Sequence, residues 1–154
     1  HIGVRTSWNE AIDAGVDGLC HIRIWKDFLP PEVQPGGENE SLDGTKNPIG
    51  RMQFDWSETD PDSPGVVAPI KRMVDEKVAI DPTLGGVSMM LERYRKRLGL
   101  DQFATAQAGY ERMKRFVQRC YEMGVLILAG TDNMNLFNEL ESYAEAGIPN
   151  HVIL

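Results

Sequence analysis

His1, His21 and Asp132 are the residues whose types and settings suit metal chemistry. His21 follows the apolar run Val16-Asp17-Gly18-Leu19-Cys20, and Asp132 follows Val125-Leu126-Ile127-Leu128-Ala129-Gly130-Thr131. Each run reads as a short strand entered through a glycine. Neutral imidazole and carboxylate are common ligands of zinc and other first-row divalent ions. Such an ion polarises carbonyls and makes water a nucleophile near neutral pH, so the implied chemistry is hydrolysis. Asp132 is the candidate catalytic residue as well as a ligand, since a carboxylate beside that water can take its proton. Each residue also has a structural explanation. His21 can be a satisfied histidine at a strand end. Asp132 can be an N-cap or turn aspartate, the more so with Asn133 beside it.

Other positions carry less. Arg23, two residues past His21, is placed to pair with a substrate carboxylate. Trp25, Phe28 and Trp56 flank a long loop, as walls of an apolar pocket or as anchors of the loop itself. Arg23 and Trp25 are the substrate-binding candidates. Asp81, in Ile80-Asp81-Pro82-Thr83, sits where it can contact substrate or form an Asx-type turn before Pro82. His151 reads as a surface residue. Gly85-Gly86 lacks the spacing of a dinucleotide fingerprint.

The elements that would position these groups are legible as periodicity and punctuation. Ser7 to Ala14 predicts a helix, with Ser7 as N-cap, Glu10 three residues on and Gly15 as the stop. Val16 to Cys20 is a strand. Pro30 to Pro64 is dense in turn signals and poor in apolar residues, which predicts a long loop with one short ordered piece around Met52 to Trp56. Val66 to Glu76 is a helix with Val67, Ile70 and Val74 along one face. Val78 to Ile80 is a strand ended by Asp81-Pro82-Thr83. Helices follow over about Ser88 to Leu98 and Ala104 to Met123, the second striped by Met113, Phe116, Val117 and Cys120. Val125 to Ala129 is a strand and Leu136 to Ala146 a last helix. Strands separated by helices predict parallel crossovers, and hence an α/β fold.

The chain has 154 residues, which bounds it to one domain with a core of its own. A net charge of −7 argues against nucleic-acid binding. The one basic run, Arg93-Tyr94-Arg95-Lys96-Arg97, reads as the solvated face of a helix. Cys20 and Cys120 fall on a strand and on the apolar face of a helix, as reduced core thiols do, which favours a cytoplasmic setting. No apolar run is long enough to span a bilayer, and no signal peptide is visible. The chain begins at His1 and stops in mid-pattern at Leu154, so it reads as an internal piece of a longer polypeptide. The expected partner is a small-molecule substrate, with neither nucleic acid nor membrane and with self-association open.

Taken together, His1, the stretch Asn9 to Asp17 and then His21 resemble the fifth- and sixth-strand region of the amidohydrolase superfamily. Val78 to Leu84 is similar to that family's strand seven. Gly124 to Asp132 is similar to strand eight, and Asn138 to Pro149 to the helix that follows it in prolidase-like and imidazolonepropionase-like members. The separation of His1 and His21 also matches the family pattern. The resemblance spans most of the chain outside Pro30 to Pro64. It implies a partial (β/α)8 TIM barrel, covering about strands five or six to eight. It implies that His1 and His21 hold one divalent metal, most readily zinc, and that Asp132 binds the same or a second ion and acts as general base. The implied reaction is hydrolysis of an amide, lactam or amidine-like C–N bond. The family's strand-one His-x-His pair and its strand-four Lys or Glu have no counterpart here, so the chain alone is expected to be inactive or nearly so. The rival expectation is a non-catalytic α/β module that binds a ligand or its own copy through an open sheet edge. A phosphate-binding domain fits less well, because basic residues near the strand ends are scarce. The substrate itself is not legible.

Overall fold

Ser7 opens the first helix as its spacing predicts. Its hydroxyl accepts from the Glu10 N–H at 3.1 Å, and the Glu10 carboxylate accepts from the Ser7 N–H at 2.7 Å. This reciprocal box satisfies donors that a helix start otherwise leaves orphaned. A computed structural model of the chain describes residues 7–22, 56–132 and 135–153. Among these the order is α1 (Trp8–Asp13), β1 (Gly18–Cys20), α2 (Pro64–Asp75), β2 (Ala79–Asp81), α3 (Leu84–Tyr94), α4 (Leu100–Met123), α5 (Leu136–Glu145) and α6 (Asn150–Ile153). No helix among them is long and apolar enough to cross a membrane.

The strands β1 and β2 pair in parallel, with Gly18 opposite Ala79, Leu19 opposite Ile80 and Cys20 opposite Asp81. On the far side of β2, the segment after α4 meets Ile80 through a single parallel bridge at Ile127. The Ile80 N–H donates to Leu126 O at 2.9 Å, and the Leu128 N–H donates to Ile80 O at 2.8 Å.

This corrects the expected partial barrel. The described residues are mostly helical, with two three-residue strands in one small parallel sheet and no longer run of parallel strands. The physical reason lies in Val125 to Ala129, whose apolar run reads as a strand buried on both faces. Among the described residues one face is covered and the other is open. Leu19 and Ile80 turn into the core, with Ile127 packed against them. Leu126 and Leu128, on the opposite face, are 64% and 46% exposed. That face is left open among the described residues, and there the segment contributes one bridge rather than a strand.

The core is built on α4. Ala106, Gly109, Tyr110, Met113, Phe116, Val117 and Cys120 form its buried stripe, and Gly124 ends it in the left-handed conformation (φ 94°) that glycine adopts without strain. Phe116 is sandwiched between two indoles. Trp8 meets it edge-on at 5.7 Å and Trp56 at 5.0 Å between ring centroids. Trp56 is fully buried, and its Nε1–H donates to the Ile22 carbonyl at 2.6 Å. It therefore anchors the end of the expected loop rather than walling a substrate pocket. Arg115 reinforces that anchor by pairing with both carboxylate oxygens of Asp62 at 2.9 and 3.0 Å. The loop between Pro30 and Asp55 lies outside the described residues. In α2 the buried face is Val66, Ile70 and Met73, so the expected stripe of Val67, Ile70 and Val74 is rotated, and Val74 is exposed.

Candidate functional site

The ends of β1 and β2 and the turn after Ile127 bring three ionisable groups to one edge of the sheet. His21 follows β1, and its backbone N–H donates to Asp81 O at 2.7 Å. Asp81 ends β2. Asp132 closes the segment through Gly130 and Thr131. Asp81 is the hub, for its carboxyl feels the charges of both His21 and Asp132.

Opposed forces act on that carboxyl. Burial raises its pKa above 3.8. The positive charge of His21 and the backbone N–H groups of Gly130 and Thr83 pull it down, and the negative charge of Asp132 pushes it up. Burial prevails. The N–H from Thr83, two residues on, makes this the Asx-type turn expected before Pro82. The Oδ1 atom of Asp81 is buried and has no hydrogen-bond partner among the described residues. An orphaned carboxylate oxygen is costly and therefore uncommon.

The backbone is strained at the same place. His21 (φ 66°), Thr83 (φ 54°) and Asp132 (φ 41°) all lie in the left-handed region. For a β-branched threonine this is a genuine outlier. Backbone strain of this kind gathers at functional sites, where the surroundings must enforce it.

Space is equally constrained. A Cβ at Gly130 would run into the Asp81 carboxylate. Gly130→Ala should therefore displace Asp81 and cost about 1–3 kcal/mol, as overpacking does. Urea denaturation checks this, and a loss below about 0.5 kcal/mol would show that Asp81 yields freely. A Cβ at Gly85 would come within 2.8 Å of the Glu139 nitrogen and 2.9 Å of the Asn138 carbonyl carbon. The glycine after Leu84 thus serves the close approach of α3 to α5.

Sequence reasoning passed over Glu139. Its side chain is fully buried, and it caps α3 from a distant element. One carboxylate oxygen accepts from the Leu84 N–H at 2.9 Å and the other from the Gly85 N–H at 2.5 Å. Thr83, in the N-cap position, makes no side-chain cap because its left-handed backbone points the hydroxyl elsewhere. Burial raises the pKa of Glu139, while the bonds from the Gly85 and Leu84 N–H groups and the nearby Tyr143 hydroxyl lower it and the charge of Asp81 adds to the rise. Tyr143, itself buried, donates from its hydroxyl to the Leu128 carbonyl at 2.7 Å. The sequence signal for Glu139 was an acidic residue on the buried side of α5, visible only once that face is known.

The predicted residues divide as follows. His21 and Asp132 each act by their charge on the Asp81 carboxyl. Asp132 is exposed. His1, Arg23 and Trp25 lie outside the described residues. His151 is exposed, as expected. Among the described residues no three His, Cys, Asp or Glu side chains are grouped to hold a metal ion. Cys20 and Cys120 are free thiols, and burial pushes the Cys120 thiol up. Comparison of the chain with protein-family models, with curated proteins and with solved structures finds no match.

Proposed function

We propose that the chain carries part of the centre of a metal-dependent hydrolase of amidohydrolase type, acting on the C–N bond of a small molecule. The observation that supports this reading is that His21, after β1, and Asp132, after the bridge at Ile127, both act by their charge on Asp81 at the end of β2, whose Oδ1 is orphaned. Imidazole and carboxylate are donor types suited to a divalent ion, zinc above all. In this reading His21 and Asp132 hold the ion together with His1. When bound, it supplies charge that polarises a carbonyl and acidifies water. Asp132 takes the proton from the attacking water and passes it to the leaving nitrogen. Its exposure gives it access to both. Asp81 holds the backbone of His21 through its carbonyl, which accepts from the His21 N–H at 2.7 Å.

Cobalt titration followed by visible absorption tests the reading. The wild-type chain should bind one or two Co2+ ions. Asp132→Ala and His21→Ala should each weaken binding at least about tenfold, as expected for loss of a ligand contributing on the order of 1.4 kcal/mol. Binding unchanged in both variants would refute the assignment.

A further inference from the structure

We propose that Thr83 and Glu139 are positioning residues that set the tautomer of His21. Their service to a metal centre rests on the reading above, whereas the tautomer itself does not. Thr83 Oγ1 lies 2.7 Å from the Pro82 carbonyl oxygen and 2.7 Å from His21 Nδ1. A carbonyl oxygen only accepts, so the single hydroxyl proton must lie between Oγ1 and Pro82 O. Otherwise two sets of lone pairs would face each other at hydrogen-bond distance in a buried place. Oγ1 is then left as an acceptor toward His21, and Nδ1 must carry the proton. The neutral ring bears its lone pair on Nε2, the nitrogen remote from Thr83. Fixing one ring nitrogen by a hydrogen bond is how proteins choose which nitrogen is offered to a ligand.

Thr83 must be held for this to work. Its backbone is left-handed (φ 54°, ψ 42°) and its residue is 6% exposed. A threonine at a helix start ordinarily takes extended backbone, and its hydroxyl accepts from the N–H groups of the first turn. Glu139 already occupies the Leu84 and Gly85 N–H groups. That removes the competing donors and leaves the Thr83 hydroxyl to Pro82 and His21. The strained residue and the distant cap are thus two halves of one device.

Long-range 15N–1H spectra of the histidine rings in the metal-free chain test this, with the His21 signals identified by their loss in His21→Asn. Wild type should show His21 protonated at Nδ1. Thr83→Val keeps the shape and removes the acceptor, and the ratio of Nδ1–H to Nε2–H should fall about tenfold, the equivalent of one hydrogen bond near the upper end of its usual net value. Thr83→Ser should restore it. Glu139→Gln, which weakens the cap and leaves the Thr83 hydroxyl in place, should lower the ratio to a lesser degree. Wild-type His21 protonated at Nε2, or Thr83→Val still protonated at Nδ1, would overturn the proposal. A tautomer that responds as expected in a chain that binds no Co2+ supports this proposal and counts against the hydrolase reading alone.

Discussion

Phe116→Ala should destabilise the chain by about 3–5 kcal/mol, the range for truncating a fully buried phenylalanine. The ring lies between Trp8 and Trp56, so its loss opens a void where α1, α4 and the segment around Trp56 meet. The Trp56 indole cannot collapse into that space without strain, because its Nε1–H is tied to Ile22 O. Phe116→Leu should cost less, chiefly the two ring contacts at roughly 0.5–1.5 kcal/mol each. Denaturant unfolding measures both. A Phe116→Ala loss under about 1.5 kcal/mol would show that the aromatic sandwich is not the centre of the core.

Glu139→Ala should cost about 2–4 kcal/mol, because it strands two buried backbone N–H groups at about 1–3 kcal/mol each while relieving one desolvated carboxyl. Its pH dependence carries a sign. Burial holds the Glu139 carboxyl above its ordinary value of 4.5, with Asp81 adding to the rise and the Tyr143 hydroxyl close by. The folded chain therefore binds this proton more tightly than the unfolded chain does. The stability that the group contributes through its raised pKa is complete below pH 4.5 and is lost as pH rises through the raised folded value. Against Glu139→Gln, which does not titrate, wild type should lose ground from pH 4.5 upward. A difference that stays constant across that window, or that moves the other way, would show that the carboxyl is not held high.

Local signals were legible and distant ones were not. The Ser7–Glu10 box lies within four residues, and the α4 stripe repeats every three or four, so both read directly from the chain. The end of β2 at Asp81 was legible from its proline. The start of α3 fell four residues before the expected Ser88, because its cap comes from Glu139, 55 residues from Leu84. The Val125 to Ala129 run looked like a full strand because hydrophobicity records preference for burial and not whether a covering layer exists. At the site, His21 and Asp132 were marked by their places after apolar runs. Asp81, the group on which both act by their charge, looked like an ordinary turn aspartate, and it is one as well.

The clamp on α3 also makes a reporter of assembly. Amides in the first turn of a helix have no partner within it and ordinarily exchange with solvent. Those of Leu84 and Gly85 are covered only by a carboxylate that arrives with α5. Their hydrogen exchange is therefore governed by the docking of α5 and not by the fraying of α3. The groups joined lie more than fifty residues apart in the chain, so the protection of these amides reports tertiary docking rather than local helix formation.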